Sequence, residues 1–309
     1  MQVVILSARA GWHTDELCRA LSARGHAGRV LPYEGLLARL GAAAALSSAG
    51  TSVLEADAVL ARIIPNGSLE QIIYRMDALH WLERRGVPVM NSPRAIERSV
   101  NKFYTTALLR EAGLPVPETV VCEGTGDAMA AIRRMLDGNR AALPREVVIK
   151  PIFGSMGHGL VRVGDPELAF RVVRSLEQIR SVFYVQQAID HGGRDFRVFI
   201  VGGRVLAAIE RRAPDGEWRT NVSCGGTAQA VSLPPAWQQM AIDAAAAVGA
   251  DYAGVDLLPA RDGGVFVLEV NGIPGWEGLQ RACGIDVAGA IADTLIARVE
   301  AGRPLEARA

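Results

Sequence analysis

The first 93 residues alternate between short apolar runs and amphipathic stretches, and this alternation constrains the fold more than any other feature of the sequence. Strands that alternate with helices favour a parallel sheet with helices on its faces. No G-x-G-x-x-G pattern follows the first strand, so a dinucleotide-binding domain is not indicated. Buried strands are predicted at residues 3–6, 58–64 and 87–90, and helices at 14–24 and 69–85.

The character of the sequence changes near residue 93, and two further units follow. Residues 94–185 predict a small α+β unit, which begins with a helix over 99–112 that Ser99 caps. Residues 186–309 are rich in predicted strands up to Val270 and helical at the end. The sequence therefore predicts three parts, 1–93, 94–185 and 186–309, of which the first is an open parallel α/β domain.

The charge balance and the cysteines exclude several classes of function. The 33 Lys and Arg residues balance the 33 Asp and Glu residues and form no basic run, so neither a nucleic acid nor a membrane surface is an expected partner. The four cysteines form no C-x-x-C pair, which argues against structural zinc and favours a reducing compartment. No signal peptide or stretch of roughly 20 apolar residues is evident. We therefore expect a cytoplasmic protein.

Only two of the basic residues are lysines, Lys102 and Lys150, and the second lies beside a glycine-rich loop. Lysine is a compact point charge, whereas arginine is a planar fork. Lys150 ends a predicted strand, and Gly154, Gly157 and Gly159 follow it. Glycines let backbone N–H groups turn towards phosphate oxygens. No G-K-[ST] follows, so this is not a Walker loop, and an ordinary glycine-rich hairpin is the alternative at this point.

Acidic residues lie within apolar strands near the end of the chain. Residues 252–258 and 265–271 predict a hairpin, with Arg261-Asp262-Gly263-Gly264 as the turn. Glu269 and Asn271 share one face of their strand, and Asp256 on the partner strand can face them. Two carboxylates and an amide oxygen suit Mg²⁺. Pairing of the acid with a neighbouring arginine is the alternative.

Arginines recur on two further predicted strands, in the segments 194–199 and 210–221. Guanidinium groups bind phosphates and carboxylates through two parallel hydrogen bonds, and they stabilise the charge that develops during phosphoryl transfer. Each arginine taken singly is more typical of a solvated face.

Together these segments resemble the ATP-grasp superfamily, and closely its RimK-like group of amino-acid ligases. The resemblance covers roughly residues 90–300, and both lysines fall on the family's two ATP lysines. In chain order the matching pieces are Asn91-Ser92-Pro93, Asn101-Lys102, 148–151 with its glycine loop, 185–189, Asp195-Phe196-Arg197, 210–221, Gly254-Val255-Asp256, 268–271, 274–278 and 284–286.

The resemblance implies a two-subdomain ATP-grasp fold that clamps ATP, preceded by the open sheet, and it implies a role for each matching residue. Arg212 would lie near the reacting acyl group and Arg219 along the phosphates, and both would be catalytic. Substrate contacts are expected, from position in the chain and not from the resemblance, at Arg62, Arg197 and Trp276, although Trp276 can equally be packing. The implied ATP contacts are Lys102, Lys150, Gly154, Ser155, Met156, Gly157, Gln187, Ala188, Ile189, Asp195, Arg219, Thr220 and Asn221, and the implied ligands of Mg²⁺, which Mn²⁺ can replace, are Asp256, Glu269 and Asn271.

The activity that the resemblance implies is an ATP- and Mg²⁺-dependent ligation of a carboxylate to an amine through an acyl phosphate. The amine would be L-glutamate, and the acceptor a small molecule such as a tetrahydromethanopterin-type cofactor, or a protein C-terminus. A non-catalytic ATP-binding regulator, or a ligase for another amino acid or dipeptide, is the alternative. Relatives commonly form homo-oligomers. The chain departs from the group at Gln187-Ala188, where Glu-Tyr is common, and at Cys224, where many members have arginine.

Overall fold

A four-stranded parallel sheet organises the N-terminal part of the computed structural model, which describes residues 1–137, 145–154, 159–220 and 225–302. Its strand order is β2-β1-β6-β7, so the predicted open α/β domain is confirmed. The elements of this part are β1 (Gln2–Ser7), α1 (Trp12–Ser22), β2 (Ala27–Pro32), β3 (Leu36–Arg39), β4 (Ala45–Ser48), β5 (Thr51–Ser52), β6 (Ala58–Ala61), α2 (Leu69–Arg84) and β7 (Val89–Met90).

The sequence did not predict the strands between residues 27 and 52. Strand β2 is an edge strand, and its sequence, Ala-Gly-Arg-Val-Leu-Pro, shows neither a continuous apolar run nor a regular alternation of apolar and polar residues. Strands β3, β4 and β5 form a small separate antiparallel sheet, and each has at most four residues. Segments this short carry too few side chains for a periodic signal.

A second sheet, with order β10-β9-β11-β8, carries the start of the glycine-rich loop. Its pairings are antiparallel, and Lys150 ends β9. The elements of this part are α3 (Pro93–Val100), α4 (Lys102–Glu111), β8 (Thr119–Cys122), α5 (Thr125–Asp137), β9 (Val147–Lys150), β10 (Val161–Val163), α6 (Pro166–Gln178) and β11 (Phe183–Gln187).

The prediction that Ser99 caps a helix over 99–112 was wrong, because two helices meet at this point. Ser92 caps α3, accepting a hydrogen bond from the Ala95 N–H (3.1 Å). Asn101 caps α4, accepting from the Tyr104 N–H (3.1 Å). Asparagine is as good an N-cap as serine, and here it fixes the helix that begins with Lys102.

The third sheet is antiparallel, with order β14-β13-β12-β15-β16, and packs on both faces. Helices α4 and α7 cover one face, and the other shares a core with β1, α1 and α9.

No helix among the described residues is long and apolar enough to cross a membrane. The elements are β12 (Arg194–Val201), β13 (Arg204–Arg212), β14 (Thr227–Ala230), α7 (Pro235–Val248), β15 (Tyr252–Pro259), β16 (Val265–Asn271), α8 (Glu277–Cys283) and α9 (Val287–Gly302). The predicted three-part division stays a prediction; the sheets change after Met90 and after Gln187.

Two buried polar side chains join the N-terminal sheet to the third sheet. Asn91 donates to the carbonyls of Tyr252 (2.8 Å) and Gly272 (2.6 Å), and its amide oxygen accepts from two backbone N–H groups. Arg62 donates to the Tyr252 hydroxyl (3.1 Å) and to the Pro274 carbonyl (3.0 Å). Buried polar groups that are fully paired fix one relative placement of the elements they join.

Replacement of Arg62 should therefore weaken the whole structure. The Arg62→Met variant keeps the volume but leaves the Pro274 carbonyl and the Tyr252 hydroxyl without a donor, at a cost of about 2–4 kcal/mol in the free energy of unfolding. Urea unfolding followed by tryptophan fluorescence measures this cost. Arg39→Met, at an exposed position of β3, is the matched control and should unfold as the wild type does. Equal midpoints for the two variants would contradict the tethering role.

Candidate functional site

A cavity of about 940 Å³ lies where the N-terminal, second and third sheets meet. Of the described residues that line it, seven are lysines or arginines and three carry carboxylates, so the cavity is suited to an anionic ligand. The cationic lining residues are Arg9, Lys102, Lys150, Arg162, Arg197, Arg211 and Arg219, and the acidic ones are Asp195, Asp256 and Glu269.

Lys150 is a buried cation whose ammonium group is held at the end of β9. Its Nζ donates to the Gln186 side-chain oxygen (2.6 Å), and the Gln186 amide donates to the Thr119 and Tyr184 hydroxyls. Burial lowers the pKa of Lys150 to about 8, and the nearby charge of Glu269 opposes this shift. Among the residues that the structure describes, no carboxylate is bonded to this buried lysine, so its charge is suited to a phosphate.

Lys102 approaches the same place from the first turn of α4. Its Nζ donates to the Gly154 carbonyl (2.7 Å), which ties the helix to the start of the glycine-rich loop. Burial also lowers the pKa of Lys102. The structure thus brings both lysines of the chain, together with Gly154, to one cavity. The predicted contacts Ser155, Met156 and Gly157 lie outside the described residues.

A chain of four buried or nearly buried charges, Asp195–Arg211–Asp256–Arg197, crosses three adjacent strands. Arg211 bonds both oxygens of Asp195 (2.8 and 2.5 Å) and also reaches Asp256 (2.9 Å). Arg197 bonds both oxygens of Asp256 (2.7 Å each). Burial raises the pKa of Asp256, but Arg197 and Arg211 outweigh burial and lower it to about 2. Asp256 is therefore ionised, and the pairing with arginine that the sequence left as an alternative is present.

Asp256, Glu269 and Asn271 lie together on the predicted hairpin, which is confirmed. Asp256 is opposite Glu269 in the β15–β16 pairing, and all three residues line the cavity. The Asn271 amide oxygen accepts from the Ile273 N–H (3.1 Å), which fixes its orientation. The described residues hold no group of three or more His, Cys, Asp or Glu suited to a metal. Two carboxylates and one amide oxygen nevertheless fit Mg²⁺, which prefers hard oxygen ligands and keeps several waters.

The predicted catalytic residue Arg212 does not reach the cavity, whereas its neighbour Arg211 does. Side chains alternate between the faces of β13, and Ile209 and Arg211 are on the cavity face. The Arg212 side chain is 57% exposed and pairs with Glu210 (2.8 Å). The sequence missed Arg211 because it reveals the alternation of a strand and not which face meets the site.

The segment that follows β11 lies along the cavity with apolar side chains beside it. The Gln187 and Ala188 N–H groups donate to the carbonyls of Glu118 (2.8 Å) and Glu146 (3.0 Å). The Ile189 N–H makes no backbone hydrogen bond to any residue that the structure describes. A planar heterocycle could therefore lie between apolar walls and be recognised by backbone groups at Ile189. The apolar lining residues here include Pro117, Val148, Leu160, Ile189, Leu258 and Leu268.

Arg219 and Thr220 line the cavity as predicted partners of phosphates. Arg219 bonds the Glu217 carboxylate (2.6 Å), and that pairing lowers the pKa of Glu217 to about 2. Thr220 is buried. Asn221 and Cys224 lie outside the described residues.

Two predicted substrate contacts, Arg62 and Trp276, are not brought to the cavity. Arg62 is 2% exposed and lies over the Trp276 ring (4.6 Å to its centre), and Trp276 is 1% exposed, so packing accounts for both. Arg9, His13 and Asn66, which the sequence did not indicate, line the cavity instead. The missed signal is their position after parallel strands, because ligands bind beyond the carboxyl ends of such strands.

His13 lies between the N-terminal domain and the loop before α8. Its Nε2 accepts a hydrogen bond from the Trp276 N–H (3.1 Å), and its ring packs edge-on against the Trp276 ring. Burial, and then the charge of Arg62, lower the pKa of His13 to about 4. The imidazole is therefore neutral near pH 7 and acts as a fixed acceptor.

The sequence matches two family descriptions that together span most of the chain. Residues 1–96 match the RimK PreATP-grasp domain, and residues 99–295 match the RimK-like ATP-grasp domain. The chain is 37% identical over 273 residues to the tetrahydromethanopterin:alpha-L-glutamate ligase of Methanosarcina acetivorans, covering 79% of this chain and 82% of that one. It is 34% identical to a probable alpha-L-glutamate ligase of Trichodesmium erythraeum, covering 96% of each.

Solved ATP-grasp structures share the fold at low sequence identity. The ATP-grasp ligase PsnB complexed with minimal precursor has a TM-score of 0.75 and 23% identity, covering 96% of this chain and 98% of that one. The D-cycloserine synthetase DcsG has a TM-score of 0.73 and 21% identity, covering 97% and 100%. A further PsnB structure contains Mg and ADP, with a TM-score of 0.72 and 23% identity.

The two lysines offer a direct test of the electrostatics of the cavity. With ¹³C-labelled lysine, the protein should give two side-chain signals, one of which titrates near pH 8 (Lys150) and the other below the ordinary value of 10.5 (Lys102). The Lys102→Arg variant assigns them. The unfolded chain keeps the proton of Lys150 up to about pH 10.5, whereas the folded protein releases it near pH 8. The charge of Lys150 therefore lowers the free energy of unfolding by its full amount below pH 8, and this destabilisation disappears between about pH 8 and 10.5. Two signals that both titrate near 10.5 would contradict this description.

Proposed function

The chain belongs to the RimK-like ATP-grasp family and is an ADP-forming amide ligase, and on that premise we propose that it joins L-glutamate to a carboxylate of a small-molecule acceptor. The predicted ATP-grasp fold is confirmed. The observation that carries the site assignment is the meeting of both lysines, Arg211 and the Asp256–Glu269–Asn271 group around one cavity.

In the first step, an oxygen of the acceptor carboxylate attacks the γ-phosphorus of ATP while the bond to the bridging oxygen of the departing ADP breaks. The product is an acyl phosphate, whose carbonyl is a far better electrophile than that of a carboxylate. Lys102 and Lys150 hold the phosphates, and Arg211 offsets the charge that spreads over the transferring group. We assign to Arg211 the role that the sequence assigned to Arg212.

In the second step, the amino group of the amino acid attacks the acyl carbon, loses a proton, and phosphate leaves. The cavity walls hold the two reactants together and exclude water that would hydrolyse the acyl phosphate. Asp256, Glu269 and Asn271 are the residues that would hold Mg²⁺, and the bound ion would supply positive charge to the phosphate oxygens. No side chain needs to form a covalent bond to a substrate.

The segment Gln187–Ile189 supports ATP as the nucleotide. Adenine would lie between the apolar walls, and the Ile189 N–H would donate to a ring nitrogen. Recognition by backbone atoms does not depend on the side chains at Gln187 and Ala188, where this chain departs from the common pattern. Asp195 is bonded to Arg211 through both oxygens, so a contact with the ribose would have to share this carboxylate.

Three observations favour a small acceptor over a protein C-terminus. Relatives named for tetrahydromethanopterin are among the most similar proteins. The cavity end formed by the N-terminal domain carries the apolar residues Ile63, Ile64 and Pro65, which suit an uncharged molecular body. The whole chain has a formal net charge of zero, so it has no excess charge that would attract an oppositely charged protein partner. A tetrahydromethanopterin-type cofactor is therefore the proposed acceptor.

The alternative of a non-catalytic ATP-binding regulator is disfavoured, because such a protein could lose the acidic residues or the arginine that the reaction needs. Here Arg211, Asp256 and Glu269 all line the cavity. Substitution of Mg²⁺ by Mn²⁺, a cytoplasmic location and a homo-oligomeric state stay predictions.

The ligase proposal is tested by ADP release in the presence of ATP and Mg²⁺. Turnover should require both an amino acid, L-glutamate above others, and an acceptor, chosen from tetrahydromethanopterin and peptides that end in glutamate. Glu269→Gln removes one metal-binding charge and should lower the rate at least about a hundredfold, because the charge on the phosphates is then less well offset. Glu70→Gln, on the exposed surface of α2, is the matched control.

ADP release that depends on a peptide and not on the pterin would contradict the small-molecule acceptor and favour a protein C-terminus as the acceptor. Binding of ATP without any turnover that depends on amine and acceptor, over the whole panel, would favour the regulator instead.

The two adjacent arginines of β13 should behave differently. Arg211→Lys keeps the charge but loses the planar fork that reaches Asp195 and Asp256, so kcat should fall about a hundredfold or more. Arg212→Lys should change kcat by less than about threefold, because Arg212 is on the opposite face. Steady-state kinetics on both variants, with melting curves as a check of folding, decide the assignment. A larger fall for Arg212→Lys would return the role to Arg212.

A further inference from the structure

Arg9 differs from the other arginines that line the cavity. Arg162, Arg197, Arg211 and Arg219 each form an ion pair with a carboxylate of the protein. Among the described residues that line the cavity, Arg9 is the one arginine for which no carboxylate lies within ion-pair distance. A guanidinium group at the wall of a cavity and without a partner is available to an anion from solution.

The backbone around Arg9 is fixed, although its side chain is exposed. The Ala8 N–H donates to the Ile63 carbonyl (2.8 Å), which joins the end of β1 to the end of β6. The Ser7 hydroxyl donates to the carbonyl of Arg9 itself (2.9 Å). These two bonds fix the backbone from which the Arg9 side chain extends at this edge of the cavity.

The surroundings of Arg9 separate it from the phosphate-binding residues. Arg9 and Asn66 follow the parallel neighbours β1 and β6, at the carboxyl edge of the N-terminal sheet. Lys102 and Lys150 come from α4 and from the second sheet. The residues beside Arg9 in sequence and across the edge, Ala8, Ile63, Ile64 and Pro65, are apolar and line the same end of the cavity. This end therefore combines one cation with an apolar wall.

We infer that Arg9 binds a second carboxylate of the acceptor, one that is not consumed in the ligation, and so selects acceptors that carry two carboxylates or an equivalent anionic pair. The inference rests on the proposed ligase function and adds the position and the chemistry of acceptor recognition. The acceptor lies with its reacting carboxylate towards Arg211 and its uncharged body against Ile63, Ile64 and Pro65. Arg9 touches the substrate at a distance from the reacting atoms, so it determines specificity and leaves the chemical step unchanged.

The kinetic test compares the wild type with Arg9→Ala, Arg9→Lys and the control Arg39→Ala, which removes an exposed arginine from β3 of the same domain. Arg9→Ala should raise the KM for the acceptor about tenfold to a hundredfold, because a charge-assisted pair of hydrogen bonds is lost. The kcat, the KM for ATP and the KM for L-glutamate should stay within about twofold. Arg9→Lys should recover part of the loss, and Arg39→Ala should match the wild type.

A binding test needs no turnover and no knowledge of the natural acceptor. Glutarate and its monoamide are titrated by calorimetry into protein saturated with AMPPNP, Mg²⁺ and L-glutamate, so that the nucleotide and amino-acid sites are filled. The wild type should bind glutarate at least about tenfold more tightly than the monoamide, and Arg9→Ala should bind the two equally.

Several results would overturn the inference. These are equal binding of glutarate and its monoamide by the wild type, no detectable binding of glutarate, or the same kinetics for Arg9→Ala and Arg39→Ala. A rise confined to the KM for L-glutamate would show that Arg9 holds the amino acid and not the acceptor. Failure of the ligase function itself is recognised separately, because the wild type would then release no ADP with any acceptor.

Discussion

Burial of four charges in strict alternation is the constraint on which the candidate site depends. Asp195, Arg211, Asp256 and Arg197 lie across three adjacent strands, and each charge has an opposite charge as its neighbour. Arg211 compensates Asp195, and Asp256 compensates Arg197. Removal of either inner member would therefore leave the neighbouring end charge without this ion pair, which costs several kcal/mol. The strands β12, β13 and β15 must therefore keep their register, and this register aims two arginines and two carboxylates at one cavity.

Pairing within this group does not occupy every hydrogen-bonding position of its members. Arg211 contacts both aspartates, yet it also lines the cavity, where we propose that it meets the transferring phosphate. Asp256 stays ionised, with a pKa of about 2, because the charges of Arg197 and Arg211 outweigh the effect of burial. Lys150 is buried without a bonded carboxylate, and its lowered pKa reflects the hydration it has lost. The phosphates of a bound nucleotide would replace the lost water contacts of Lys150. The free-energy cost that its burial adds to folding would then be recovered when the nucleotide binds.

The two ends of the cavity are built by different parts of the chain, and this separates the reaction from the choice of substrate. The residues that we propose for the phosphates and for Mg²⁺ come from α4 (Lys102), from the second sheet (Lys150) and from the acidic hairpin of the third sheet. The end that we propose for the acceptor comes from the carboxyl edge of the N-terminal parallel sheet, where Arg9 lines the cavity. Arg62 and Asn91 hold the two halves in one orientation, because each is buried and paired across the junction. Substitutions at the N-terminal edge can thus change the acceptor without changing the phosphate site.

The sequence by itself determined the features that follow from local pattern. The alternation of strands and helices predicted the open parallel sheet, the two strands around Arg261–Gly264 predicted the hairpin, and the rarity of lysine drew attention to Lys102 and Lys150. Tertiary structure decided which side of each pattern faces the site. The two-residue period of a strand places Arg211 and Arg212 on opposite faces, but it does not show which face meets the cavity, because that depends on the elements packed against the sheet. Nor can a sequence show that Arg62 is enclosed by residues far along the chain, or that Arg9 meets the cavity, because both depend on contacts between elements that fold together only in three dimensions.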